Sequence, residues 1–96
     1  MLKTRYKFFK RLYNDCVIVF NIKEHFYIFY NDVFILNSFK TGKLIDYLEK
    51  YHINYVIMEN VKIIRECKFK DNRYKELLQK SIIIYVLRKY LQIILS

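Results

Sequence analysis

The sequence of 96 residues has no proline, no tryptophan and a single glycine, Gly42. A phosphate-binding loop of the GxxxxGK[ST] type needs glycines so that backbone amides can approach phosphates. A chain with one glycine cannot supply that loop, so nucleotide hydrolysis is not expected. The length is enough for one small domain with one core, and we expect residues 1–96 to form a single domain.

Histidine and cysteine are also scarce, with two residues of each. Neither His25 nor His52 has a neighbour at a metal-ligand spacing, and Cys16 and Cys67 lack the CxxC spacing of a zinc site. We therefore expect no metal, no cofactor and two buried thiols in a reducing compartment. The amino-terminal region mixes charges with apolar residues, unlike a signal peptide, so we expect a cytoplasmic location.

Groups arranged for catalysis are missing as well. The serines lack a GxSxG context, and the carboxylates follow no recognisable nuclease pattern. Glu66 and Lys68 have the spacing of an ExK motif, but no aspartate can be placed beside them. We therefore predict that the protein is not an enzyme.

Acidic residues are few: nine stand against 18 basic residues, for a net charge of +9. Residues 1–13 carry five basic and no acidic side chains, and residues 62–80 carry seven against three. Such a balance is typical of proteins that meet phosphates or anionic surfaces, although charge runs also keep proteins soluble. We predict a nucleic-acid partner whose backbone is contacted by Lys3, Lys7, Lys10, Arg11, Lys68, Lys70 and Arg73.

The first element is an amphipathic helix over residues 2–13. Its apolar side chains recur at helical spacing and form one stripe, while the basic residues fall to the flanks and back. The stripe consists of Leu2, Tyr6, Phe9 and Tyr13.

Residues 16–20 and 26–30 are β-branched and aromatic runs that predict an antiparallel hairpin. Strand alternation places the side chains of the second run on two opposite faces. We expect Phe26, Ile28 and Tyr30 on the core side. The other face, with His25, Tyr27 and Phe29, is a predicted contact surface.

Two helices should follow the hairpin. Asn31 or Asp32 can cap a short helix over residues 32–39, since a short side-chain oxygen accepts free amide protons of the first turn. Thr41 can cap a second helix that ends near His52. Its buried face would be formed by Leu44, Ile45, Leu48 and Tyr51.

The remaining pattern contains two strands and a long helix. Residues 53–59 and 61–67 are β-rich and predict a second hairpin or two adjacent strands. Asp71 or Asn72 begins a helix that extends to about Leu95. The order helix, strand, strand, helix, helix, strand, strand, helix predicts an α/β fold. We expect a small mixed or antiparallel sheet of about four strands flanked by helices.

The carboxy-terminal helix, about 72–95, is apolar over most of its circumference. Its run from Ile82 to Leu95 is interrupted by Arg88 and Lys89 and is shorter than the roughly 20 residues of a transmembrane span. We expect this run to pack in the core. The alternatives are association with a second copy or a protein partner, and binding at a membrane surface.

Three segments resemble a known family. CVIVFNIKEHFYIFYNDV, residues 16–33, is similar without gaps to the start of the mismatch-recognition domain of MutS, where an apolar strand leads into GDFYELF-x-x-DA. LIDYLEKYHINYVIMEN, residues 44–60, resembles the helix of that family and its following strand, gYxVAIxEQ. KDNRYKELLQKS, residues 70–81, resembles short stand-alone proteins that carry only this domain.

The resemblance covers roughly residues 3–80 and implies the α/β fold of that domain together with DNA binding. The family's Phe-x-Glu motif, which reads the mismatched base, falls on His25 and Tyr27, and its preceding glycine and aspartate fall on Lys23 and Glu24. Imidazole and phenol rings can stack on bases. The implied function is a non-enzymatic DNA-binding module without true mismatch discrimination. The alternative is an accessory module that binds a protein partner or itself through its last helix.

Overall fold

The computed structural model describes residues 2–37 and 44–95. The predicted order of helices and strands is confirmed, with a short 3₁₀ turn inserted after the first hairpin. The predicted Thr41 cap lies outside the described residues. In chain order the elements are α1 (Leu2–Leu12), β1 (Val17–Ile22), β2 (His25–Tyr27), the 3₁₀ turn (Tyr30–Asp32), α2 (Val33–Asn37), α3 (Leu44–Lys50), β3 (Tyr55–Glu59), β4 (Lys62–Cys67) and α4 (Tyr74–Leu95).

The four strands form one mixed sheet in the order β2-β1-β3-β4. β1 and β3 run parallel in the centre, with Val17 opposite Tyr55 and Phe20 opposite Met58. The two outer pairs, β1 with β2 and β3 with β4, are antiparallel hairpins. The predicted α/β fold, a small mixed sheet flanked by helices, is therefore confirmed.

Both faces of the sheet are covered. Alternation along β1 sends Val17 and Val19 to one face and Ile18 and Phe20 to the other, and all four are buried. The first face packs against α2, α3 and α4, and the second packs against α1. The predicted stripe of α1 lies on the sheet, with Tyr6 buried and Leu2, Phe9 and Tyr13 packed beside it.

The turn between β1 and β2 is made by Lys23 and Glu24. Ile22 pairs with His25, so these two residues form the whole connection. Both adopt positive φ, 50° and 66°, as two-residue hairpin turns require, although Asn-Gly is the usual sequence for such a turn. The chain therefore makes this tight turn without a glycine or asparagine.

Two expectations about the first hairpin are wrong. β2 ends at Tyr27 rather than Tyr30, because the chain turns into the 3₁₀ segment. Phe26 and Tyr30, expected on the core side, are exposed, and of that set Ile28 packs against the core. β2 is an edge strand of three residues, and all three are exposed.

The two thiols are free and differ in burial. Cys16 is fully buried, whereas Cys67 is partly exposed. The expectation of two buried thiols therefore holds for Cys16 alone.

α4 begins near the residue that the sequence indicated. The side-chain Oδ1 atom of Asn72 accepts the Tyr74 amide proton at 3.2 Å, which is the contact of a helix cap. The expectation that the run from Ile82 packs in the core is wrong, because Ile83 to Gln92 are all exposed. The described residues contain no helix long and apolar enough to cross a membrane.

Candidate functional site

A basic cleft of about 610 Å³ lies between α1 and the segment that follows β2. Residues of an α-helix that are four positions apart lie one above the other, so positions 3, 7 and 11 share one flank of α1. The same helix is anchored by Tyr6 on the sheet, which turns this flank toward the cleft. The cleft is lined by Lys3, Tyr6, Lys7, Lys10, Arg11, Tyr30 and Asn31.

Asp32, which follows Asn31 of the cleft lining, is a fully buried carboxylate. Its Oδ1 atom accepts hydrogen bonds from Lys10 Nζ at 2.8 Å and from the Tyr74 hydroxyl at 2.6 Å. Its Oδ2 atom accepts the Ile18 amide proton at 3.0 Å. The sequence suggested a helix cap at Asn31 or Asp32, whereas the Asp32 side chain joins α1, β1 and α4 in the interior.

Lys10 differs from the other basic residues of the cleft because its ammonium group points inward. It donates to the Cys16 carbonyl, lies 4.2 Å from the centre of the Tyr74 ring and leaves its side chain 19% exposed. Burial lowers the pKa of Lys10, and attraction to Asp32 opposes that shift. Lys10 therefore compensates the Asp32 charge instead of extending toward solvent.

Lys3, Lys7 and Arg11 are exposed on the cleft flank of α1. Within residues 2–37 and 44–95, none of the three takes part in an ion pair. Since Lys10 and Asp32 cancel, these three side chains leave the cleft with uncompensated positive charge. An anionic ligand could bind these three cations without displacing a carboxylate from them.

Aromatic rings continue from the cleft onto β2. The Tyr6 and Tyr30 rings are 5.0 Å apart, Tyr30 and Phe29 are 6.3 Å apart, and Phe29 stacks on Tyr27 at 6.3 Å with an interplanar angle of 22°. We call Tyr6, Tyr30, Phe29 and Tyr27 the aromatic row. Tyr27 and Tyr30 are its two exposed members, and Tyr30 lines the cleft.

Tyr30 reaches this position through an unusual backbone conformation. Its φ is 57°, in the left-handed region that non-glycine residues enter at a cost of about 1–2 kcal/mol. The conformation turns the chain out of β2 and brings the Tyr30 ring against Tyr6. Strained residues are frequent at functional sites, and of the five non-glycine residues with positive φ in the described structure Tyr30 is the one that lines the cleft.

The buried Tyr6 hydroxyl at the base of the row has no well-formed hydrogen bond among the described residues. Burial, and next the nearby Asp32 charge, raise the pKa of Tyr6 well above its usual range. The Tyr6 hydroxyl therefore keeps its proton to a higher pH than an exposed tyrosine does.

The predicted contact residues His25 and Tyr27 are exposed on β2. Their partners in β1 are Ile22 and Phe20, so both side chains lie on the face of the sheet that α1 covers. The structure brings Tyr27 next to the cleft through the aromatic row and leaves His25 beside the hairpin turn.

The second predicted basic group is only partly joined to the first. Lys68 Nζ lies 5.8 Å from the centre of the Tyr13 ring, beyond the end of α1, and 3.8 Å from the Glu66 carboxylate. The guanidinium of Arg73 pairs with Glu76 at 3.1 Å, and Lys70 is exposed. Lys68 and Arg73 are therefore both paired with carboxylates, and of the two Lys68 lies near the end of α1.

Tyr30, Asn31 and Asp32 are the site residues that sequence reasoning missed or misassigned. Strand alternation predicts that Tyr30 faces the core. Its positive φ turns the side chain away, and a tyrosine in the sequence does not indicate a positive φ. The partners of Asp32 are Lys10 and Tyr74, which are distant in sequence. No local pattern marks that association.

Residues 2–37 and 44–95 contain no cluster of three or more His, Cys, Asp or Glu side chains that could hold a metal ion. The chemistry that the cleft offers is cationic and aromatic. A scan against protein-family models finds no matching family, and searches of curated proteins and of solved structures find no similar protein.

Proposed function

We propose that the protein binds nucleic acid in the basic cleft, with unpaired bases stacking on the aromatic row. The observation that carries this proposal is the junction of the two surfaces at Tyr6 and Tyr30. Lys3, Lys7 and Arg11 supply cations for successive phosphates, and Tyr30 and Tyr27 supply ring surface beside them. A cationic groove next to exposed aromatic rings is how many proteins bind single strands, and each stacked base contributes about 1–3 kcal/mol.

The electrostatic part of this binding has a measurable signature. Neutralising a phosphate releases counterions, so affinity falls with salt by about 0.7 logarithmic units per tenfold increase for each phosphate of a single strand. Three cations predict a slope of about −2, and Lys7→Gln should reduce its magnitude by about 0.7. Fluorescence anisotropy of a labelled single strand over a salt series measures both quantities.

Lys50→Gln is the matched control, because Lys50 is an exposed lysine on α3, across the sheet from α1. Its salt slope should equal that of the wild type. If the wild type binds neither single-stranded nor duplex DNA at about 50 mM salt, where this term is strong, the proposal is wrong.

The aromatic part is tested on β2 itself. Tyr27 and Phe26 are adjacent, 45% and 46% exposed, and face opposite sides of the sheet. Tyr27→Ala should weaken binding to a single strand by roughly tenfold, in line with the loss of one stacked base. Phe26→Ala should leave binding unchanged, and equal losses in both variants would remove the aromatic row from the proposal.

We further infer kinship with the mismatch-recognition domain of MutS. The ungapped similarity over residues 16–33, the element order and the tight turn at Lys23 and Glu24 support this inference. His25 and Tyr27 occupy the positions of the Phe-x-Glu motif, so a mismatched duplex should bind no more tightly than a matched one. A clear preference for the mismatch would mean that this motif is not needed for discrimination.

A further inference from the structure

α4 reverses its polarity halfway along its 22 residues. In its first half the side chains of Tyr74, Leu77 and Ser81 are buried against the body of the protein. The outward residues of this half are polar. They are Lys75, Glu76, Gln79 and Lys80, all exposed.

The second half inverts this arrangement. Successive helical residues are about 100° apart, so Arg88, Lys89 and Gln92 continue the sector of the helix that Tyr74 and Ser81 begin. The opposite side is apolar, and its side chains are between 37% and 60% exposed. We call this side the apolar arc; it consists of Ile83, Ile84, Val86, Leu87, Tyr90 and Leu91.

The change falls where the helix leaves the body. Tyr85 packs edge-on against Phe34 of α2 at 5.3 Å, and the residues from Val86 to Gln92 are all exposed. A helix that only covers the core keeps one apolar face throughout. The apolar arc therefore faces away from the protein's own core and is suited to a second apolar surface.

The width of the arc distinguishes its possible occupants. Its six residues span roughly 160° of the helix circumference. One partner helix covers a seam formed by the a and d positions of a heptad, which is narrower than a core-facing stripe of about 100°. A planar apolar phase covers close to half of a helix that lies in its surface. A bilayer interface therefore fits the arc better than one helix from a second copy.

The charge around the arc points to an anionic surface. No acidic residue follows Glu76 in the sequence, whereas Lys80, Arg88 and Lys89 are exposed on this helix. By the 100° rule, Arg88 and Lys89 border the arc, where long basic side chains extend toward lipid headgroups. A second copy would bring the same positive charges with no acidic partner on this half of the helix.

We propose that the second half of α4 binds the surface of an anionic lipid bilayer, lying in its interface with the apolar arc immersed. Interfacial helices combine an apolar face with a basic polar face and bind more tightly as anionic lipid increases. α4 packs on the sheet face opposite α1 and the cleft, so this proposal does not depend on nucleic-acid binding.

Vesicle flotation with the full chain tests this proposal. Vesicles would contain phosphatidylcholine alone, or phosphatidylcholine with about one third phosphatidylglycerol, an anionic lipid. The wild type should float with the anionic vesicles and much less with the neutral ones. Val86→Glu should lower the binding constant by roughly tenfold or more, because it places a charge in the immersed arc.

The matched control is Val61→Glu. Val61 is another exposed valine, 70% accessible, in the turn between β3 and β4. Because both positions are exposed, neither change should unfold the protein, and circular dichroism verifies this. The control variant should float like the wild type.

Three results would overturn the proposal. The wild type could fail to bind anionic vesicles, or Val86→Glu could bind as well as Val61→Glu, which would assign any binding to other basic surfaces. The third is a particle of about twice 12.0 kDa in light scattering that becomes monomeric on Val86→Glu. That result would mean that the apolar arc binds a second copy of the chain.

Discussion

The helices at the two ends of the described chain, α1 and α4, use similar residues in different ways. α1 keeps the same apolar face along its whole length: its apolar stripe lies on the sheet and its basic flank faces the cleft. α4 has one polarity up to Ser81 and the opposite polarity from Ile83 onward. The apolar face of a helix therefore shows where the core lies only along the part of the helix that contacts the core.

Each helix also contains an internal pair that makes the difference measurable. In α1, Lys7 is exposed and Lys10 points into the protein beside Asp32. In α4, Leu77 is buried and Leu87 is exposed. Two residues of the same type on one helix thus have different environments. The same substitution should lower the free energy of unfolding at the buried position and change it little at the exposed one.

The largest effect is expected at the buried ion pair. Asp32→Ala removes the acceptor for three hydrogen bonds and leaves the Lys10 ammonium group without its partner. Breaking a buried pair costs about 3–5 kcal/mol, so the free energy of unfolding in urea should fall by that amount. Lys10→Met should produce a loss of similar size.

Lys7→Met is the control for these variants, since it changes an exposed lysine one turn earlier on α1. Its unfolding free energy should stay within about 0.5 kcal/mol of the wild type. Equal losses for the two lysine variants would contradict the inward position of Lys10.

The second effect compares the two halves of α4. Leu77→Ala should lower the free energy of unfolding by about 2–5 kcal/mol, because it leaves a cavity in the core. Leu87→Ala should change it by less than about 0.5 kcal/mol, since its side chain is exposed and alanine favours helix. A large loss at Leu87 in monomeric protein would mean that the apolar arc packs internally.

The smallest effect concerns the thiols. Burial, followed by a hydrogen bond to Asp15, raises the pKa of Cys16 from 9.0 to about 12. A raised folded pKa stabilises the fold below pH 9, and that contribution disappears as the pH rises toward 12. Chemical denaturation at pH 8 and pH 10 should show lower stability at the higher pH.

Alkylation provides a direct measurement of the same contrast. Cys67, partly exposed on β4, should react with iodoacetamide in the native protein, whereas Cys16 should react only after unfolding. Mass spectrometry of the native chain should therefore find one modified cysteine. Equal rates would indicate that the region joining α1 and β1 opens readily.

Much of the fold could be predicted because its signals are local. The stripe of α1, the first hairpin and the cap at Asn72 each depend on residues within one or two turns or strands. The parallel pairing of β1 with β3 has no such local signal, so the sequence does not distinguish a mixed from an antiparallel sheet. The wrong expectation for the apolar arc has a clear origin: apolar character predicts burial but does not specify the partner.

The candidate site was harder to predict for the same reason. Lys3, Lys7 and Arg11 follow from charge and helical spacing, and they lie together as expected. The inward position of Lys10 depends on Asp32 and Tyr74, which only the tertiary fold brings near. A sequence pattern can place a charge on a helix, but a remote partner decides whether that charge is available.

The parallel pair at the centre of the sheet also has a consequence for how the chain folds. Each hairpin closes over a two-residue turn, whereas Val17 meets Tyr55 only after α2 and α3 have crossed from one hairpin to the other. Contacts distant in sequence form slowly, because loop-closure entropy is lost before they contribute. We expect the two hairpins to form first and their docking, completed by Asp32 between α1 and α4, to limit the folding rate.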